Sequence, residues 1–130
     1  MIVLDASVLI AHLDSTDSFH AQAGQILVDS GPESLGASSI TLAEVLVTPI
    51  RERKLALVQK AIDDLGIEEL PLDEESSVRL AELKVITGLK MPDCCVIAAA
   101  ESRAGKVATF DRSLARAAED LGLPVFSSSS

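Results

Sequence analysis

The sequence has no tryptophan, no tyrosine and only three phenylalanines. Platforms that stack single-stranded nucleic acid are built from aromatic faces, so that mode of binding is not expected. Positive charge is also scarce: 11 Lys and Arg stand against 20 Asp and Glu, for a formal net charge of −9 and a pI of about 4.5. Such a chain does not capture DNA or RNA by broad electrostatic attraction, which requires a basic surface. A nucleic-acid enzyme that approaches phosphate through metal ions stays open, because acids that ligate metal add to the same negative balance.

Cysteine is limited to the adjacent pair Cys94 and Cys95. Neighbours on a helix point to different faces, so no bridge between them is expected, and no Cys-x-x-Cys or Cys/His zinc pattern exists. The start has no cationic segment followed by a long apolar run, and no stretch approaches a membrane span. The expectation is a cytoplasmic protein without membrane contact. With 130 residues, 48% of them apolar, the chain has the size of one domain around a single core. Residues 1–126 are read as that domain and Ser127–Ser130 as a loose tail.

What is present is an alternation of short apolar strands with helices. Ile2-Val3-Leu4 is a short run for a buried strand, followed at once by Asp5 and a short helix over Val8–Leu13. Phe19 to Ser30 reads as a second helix, and Ser30 to Ser34 breaks the chain at Gly31-Pro32. Leu35–Ile40 is a weak strand, entering a helix over Thr41–Thr48 that Pro49 closes. Arg51–Leu65 has helical spacing in Leu55, Val58, Ile62 and Leu65 and ends at Gly66; Ile67–Leu72 follows as a strand. Asp73–Thr87 is a helix with acids at its start and Gly88 at its end. Pro92 opens an apolar helix over Cys94–Ala104, ended by Gly105. Lys106–Phe110 is a strand, Asp111 and Ser113 start the last helix, and Leu123–Phe126 is a short final strand. Strands alternating with helices mean a parallel sheet covered on both faces, an α/β fold.

Four acids share one situation, the mouth of a helix. Asp5 follows the first strand, Glu44 lies in the first turn of the helix after the second, Asp93 lies in the first turn of the apolar helix, and Asp111 follows the strand that ends at Phe110. Each has a local explanation. Asp5 suits a strand-to-helix turn, Thr41-Leu42-Ala43-Glu44 fits a capping box, Asp93 complements a helix dipole, and Asp111 is a good N-cap. Taken together they say more. In a parallel sheet the helices that follow strands begin at the same edge, where ligands of open α/β folds bind. Carboxylates gathered there need cations, and the junctions offer only Lys90 and Arg112. A hard divalent cation, magnesium or manganese, fits oxygen ligands; zinc would call for His or Cys. His12 and His20 are read as surface or packing residues.

Leu4-Asp5-Ala6-Ser7, the run Ser39–Val45 around Glu44, the run Pro92–Ala100 around Asp93, and Thr109-Phe110-Asp111 together resemble the four motifs of the PIN domain. In length and spacing the chain is similar to the VapC toxins of bacterial and archaeal toxin–antitoxin pairs, over about residues 1–126. The resemblance implies a three-layer α/β/α sandwich and a magnesium- or manganese-dependent ribonuclease. It carries the acidic pocket onto Asp5, Glu44, Asp93 and Asp111, with Asp5 and Asp93 as direct metal ligands. Glu44 would complete a second metal position or act through water as general base. Ser7 and Thr109 match polar positions that orient the carboxylates.

The resemblance also implies a homodimer bound by an antitoxin. Leu42, Val45, Leu46, Val47, Ile50, Leu55 and Val58 offer an apolar surface for pairing, or else belong to the core. An acidic pocket on an acidic protein calls for a partner segment carrying Arg into it. Two rival functions remain: a phosphotransfer enzyme with Asp5 as nucleophile, for which Ala6-Ser7-Val8 supplies no second acid, and a catalytically silent α/β binding module.

Overall fold

Ile2, Val3 and Leu4 form the first strand, β1, and all three are fully buried. A computed structural model describes residues 1–127. Ser128–Ser130 of the expected tail lie outside the described residues. β1 pairs in parallel with β2 (Leu35–Ser38) on one side and β4 (Lys106–Ala108) on the other; β3 (Ile67–Leu70) pairs in parallel with β2, so the sheet order is β3-β2-β1-β4. Alternation along the strands divides the interior into two layers. Ile2, Leu4, Leu35, Ala37 and Ala108 face one core, shared with α1 (Ala6–Leu13), α2 (His20–Asp29), α3 (Ser39–Arg51) and α4 (Leu55–Asp64). Val3, Leu70 and Val107 face the other, shared with α5 (Ser76–Thr87), α6 (Met91–Ser102) and α7 (Arg112–Asp120). The result is the α/β/α arrangement with a central parallel sheet. Cys94 and Cys95 are both buried and free. No helix of the described residues is long and apolar enough to cross a membrane.

The element boundaries depart from the sequence reading where local signals compete. Thr41 is not a cap. Ser38 caps α3 by accepting from the Ile40 N–H at 3.2 Å, so β2 runs into the helix without a loop and Glu44 falls in the second turn. Pro49 does not close α3. It sits inside the helix, which continues to Arg51, because so near the end only one intrahelical bond is lost and Glu52 N still bonds to Thr48 O at 3.0 Å. The break comes instead at Arg53, which adopts a left-handed φ of 59°, so Arg51–Leu65 is not one helix and α4 starts at Leu55.

The acids Asp73–Glu75 form a turn rather than helix, Asp73 accepting from Glu75 N and Ser76 Oγ, and α5 starts at Ser76. α6 begins earlier than expected, at Met91, with Pro92 in its first turn, where its missing N–H has no intrahelical partner to lose. The expected strand Leu123–Phe126 is reduced to a single bridge between Val107 and Val125. Pro124 has no N–H to extend that ladder. Leu72 and Phe110 likewise lie beyond the strands they were expected to end.

Two glycines are required by close approach. A Cβ on Gly105 would stand 2.9 Å from the Met1 carbonyl oxygen, which already accepts from Lys106 N in the sheet. A Cβ on Gly36 would meet Met1 Sδ at 2.8 Å and Leu70 Cδ1 at 2.9 Å, both side-chain atoms able to shift. Gly105→Ala is therefore expected to lower unfolding free energy by about 2 kcal/mol or more, at the upper part of the range for overpacking, and Gly36→Ala by less. Urea unfolding of the two variants checks this; a larger loss for Gly36→Ala would overturn the assignment.

Candidate active site

The carboxyl end of β1 delivers Asp5 directly into the first turn of α1, for which it is the N-cap. Its Oδ1 accepts from Ser7 Oγ at 2.7 Å and Val8 N at 3.1 Å, and its Oδ2 accepts from Thr109 Oγ1. Ser7 Oγ in turn accepts from Phe110 N at 3.0 Å, and Thr109 Oγ1 from Asp111 N at 2.9 Å. These bonds tie the ends of β1 and β4 together around one carboxylate. Asp111 caps α7, its Oδ1 accepting from Ser113 N at 2.8 Å and Leu114 N at 3.2 Å. Capping and placement at the sheet edge are thus the same geometry, not alternatives.

Glu44 and Asp93 come from helices that pack against each other, α3 and α6. With Asp5 and Asp111 they line one cleft of about 390 Å³, together with Ser7, Thr41 and Lys90. All four acids are brought together there; Thr109 stands behind Asp5, holding it. His12 and His20 lie elsewhere, their rings stacked with centroids 6.3 Å apart, and His20 Nδ1 is 2.8 Å from the Ala11 carbonyl oxygen. Thr41 is the residue that sequence reasoning misplaced. Its spacing of three from Glu44 puts both on one helix face, the signal that could have found it.

The electrostatics follow from burial and crowding. Burial pushes the Asp5 carboxyl above its ordinary value, against the hydrogen bonds from Thr109, Ser7 and Val8 that favour the anion. Burial also raises Asp93, and repulsion from Asp111, Asp5 and Glu44 raises it further, with Lys90 opposing. The cleft therefore crowds four acids against one lysine, Lys90, among its described lining residues.

The donors suit a hard divalent cation, being carboxylate and hydroxyl oxygens with no His or Cys among them. Among the described residues no three His, Cys, Asp or Glu side chains stand close enough to enclose an ion. A cation there would keep much of its shell as water, as magnesium does. Thr41 Oγ1 is buried without a protein hydrogen-bond partner at the wall of this cleft, an uncommitted oxygen beside the acids.

The raised pKa values fix a sign. At pH values between 3.8 and the folded values, the folded protein holds protons that the unfolded chain releases. Stability without metal should therefore fall as pH rises through that window and level off above it. Asp93→Asn removes one repelled charge, so it should flatten this part of the curve and raise the metal-free Tm at pH 7. Asp5→Asn should not stabilise, since an amide has one acceptor oxygen for the three donors now on that carboxylate. Thermal melts across pH with chelator check both; an Asp93→Asn curve superimposable on the wild type would overturn the account.

A family profile for the PIN domain matches residues 2–120. No curated protein sequence matches the chain. Among solved structures, the sarcin-ricin loop cleaving toxin VapC20 of Mycobacterium tuberculosis is similar with a TM-score of 0.75 at 18% identity, over 90% of this chain and 95% of that one. FitAcB from Neisseria gonorrhoeae is similar with a TM-score of 0.73 at 23% identity, over 97% and 96%. VapBC2 from Rickettsia felis, bound to a DNA fragment from its promoter, gives 0.72 at 15% identity, over 97% and 98%. At these identities the solved structures speak for the fold alone, whereas the profile spans nearly the whole described chain, from β1 to the end of α7, and on that ground the chain belongs to the PIN domain family.

Proposed function

We propose that this protein is a divalent-metal-dependent ribonuclease that acts as the toxin of a toxin–antitoxin pair. The observation that carries the reading is the convergence of Asp5, Glu44, Asp93 and Asp111 on one cleft at the carboxyl edge of a PIN-domain sheet. Similarity to a sarcin-ricin loop cleaving toxin and to toxin–antitoxin complexes supports it. A silent binding module would have no need to bring four repelling carboxylates together.

In this reading Asp5 and Asp93 would hold Mg²⁺ or Mn²⁺, and Glu44 lines the same cleft. When bound, the cation would supply charge for the phosphate oxygens and a more acidic water. Ser7 and Thr109 keep Asp5 in a single orientation, so the carboxylate costs no reorganisation when substrate arrives. Glu44 is exposed and takes the proton of the attacking water, from where it passes to solvent. Water oxygen bonds to phosphorus, the phosphorus–ribose oxygen bond breaks, and the leaving oxygen takes a proton from solvent. Asp111 adds negative charge that helps retain the cation. Asp93→Asn is expected to abolish cleavage and divalent binding, and Glu44→Gln to lower kcat about 10²–10⁴-fold, both with the fold intact. The test is incubation of purified protein with an RNA panel in magnesium, manganese or chelator, with end-mapping and calorimetric metal titration. Undiminished cleavage by folded Asp93→Asn would overturn the assignment.

The partner in this reading is a small antitoxin. Glu44 also lines a second groove, about 510 Å³ in volume, with Ile10, Leu13, Val45, Leu57 and Val58 on its walls. A segment seated there with apolar anchors reaches the acids next door, and an Arg on it forks onto them. Of the apolar residues considered for self-association, Leu42 and Val45 are core, while Val47 and Ile50 are exposed. In this reading a homodimer pairs through that face at the exposed Val47 and Ile50. Replacing the partner's Arg with Ala should weaken binding, most at low salt, and relieve nuclease inhibition. Binding and inhibition both unchanged would overturn the arginine mechanism, and light scattering that finds a monomer would overturn the dimer.

A further inference from the structure

Most cations of this acidic protein are already partnered. Lys54, Lys60, Arg79, Arg103 and Lys106 form ion pairs with Glu52, Asp64, Glu101, Glu68 and Glu33. Lys84 Nζ donates to the Leu89 carbonyl at 2.8 Å. Among the described residues this leaves Arg51, Arg53, Lys90, Arg112 and Arg116 with no ion pair.

Three of those five line two adjoining clefts. Lys90 lines the acidic cleft. Arg112 and Arg116, one turn apart and exposed on α7, line a neighbouring cleft of about 470 Å³. The two clefts share Ser113 and Leu89 on their walls, so they adjoin. A single carboxylate, Asp120, lines the second cleft, and it pairs with neither arginine. Arg before Asp at a spacing of four is also the less favourable order for a helix pair.

We propose that the Arg112–Arg116 face of α7 takes backbone phosphates of the RNA strand beside the one being cleaved. The proposal rests on the ribonuclease reading above. A polyanion brought to a protein of charge −9 needs local cations, and a metal in the acidic cleft answers only for the scissile phosphate. Guanidinium groups at a spacing of four residues project from one helix face, and each forks onto a phosphate. Bases have little to stack on: the chain has no Trp or Tyr, and Phe19 and Phe110 stack on each other at 4.7 Å. Backbone charge must therefore carry a larger share of substrate binding. Arg112 directly follows Asp111, so one residue step joins the acids to the phosphate track.

The test compares Arg112→Gln/Arg116→Gln with Lys60→Gln/Arg103→Gln, a control with the same charge change and no residue in either cleft. Binding of a fluorescent single-stranded RNA is measured by anisotropy against salt in the Asp93→Asn background. The arginine pair should weaken binding roughly tenfold at about 0.1 M salt and reduce the log–log salt slope by about 1.4, or about 0.7 per lost contact. With Asp93 intact it should raise KM and leave kcat within about twofold, the mark of lost uniform binding. The control should do neither. If the protein cleaves RNA but the arginine pair leaves KM and slope unchanged, or the control matches its effect, the track is wrong and the nuclease reading stands. If the arginine pair impairs only the grip of an antitoxin, α7 is a protein contact and the track is also wrong. If the wild-type protein cleaves no RNA in the panel, both readings fall together.

Discussion

The structure turns on a carboxylate buried at the end of the central strand. Asp5 is only 4% exposed, and an unpartnered anion at that depth would be costly. Ser7, Val8 and Thr109 supply its donors, and each donor does a second job. Val8 N is an otherwise unpaired group of the first turn of α1. Ser7 Oγ and Thr109 Oγ1 also receive the backbone N–H groups of Phe110 and Asp111, which aligns the exit of β4 with the entry of α1. Satisfying one acid therefore ties the two strand ends that bound the cleft.

The remaining charges are arranged around that carboxylate and not paired off against it. Asp93 is repelled by Asp111, Asp5 and Glu44, and among the described residues Lys90 is the one cation lining the same cleft. Elsewhere five acids meet a Lys or Arg, as in the two-bond contact of Arg79 with Glu101 that links α5 to α6. The contrast separates charge paired across elements from like charge crowded into one cleft. Exposed ion pairs of the first kind contribute little each. Excess of the second kind costs stability until a cation offsets it, and this is the signature expected where chemistry and stability pull apart.

Much of this was legible in the sequence because its signals are local. Alternation in Ile2-Val3-Leu4 sends Ile2 and Leu4 to one core and Val3 to the other. Gly66 and Gly88 both adopt left-handed φ at helix ends, at 71° and 69°, which a side chain would resist. Asp5, Asp93 and Asp111 stand at helix starts, as their positions after strands or before an apolar run required. The parallel order of strands then brings these helix starts to one edge, so the acids meet although they are distant in the chain.

Other features were settled only by the packed structure. Thr41 and Ser38 are both plausible caps; the register of β2 against β3, which carries the ladder to Ser38, makes Ser38 the cap and turns Thr41 inward. Pro49 reads as a stop, yet α3 runs through it. Leu42, Val45, Val47 and Ile50 look alike in sequence, and the phase of α3 against the sheet buries the first two and exposes the others. Arg112 and Arg116 have no sequence mark that sets them beside the acids; the docking of α7 next to α6 creates that neighbourhood. The division has one physical reason. Periodicity, capping and turn chemistry act over a few residues and are written in order along the chain. The face a helix presents, and what stands across from it, depends on rotation and contact between elements far apart in sequence.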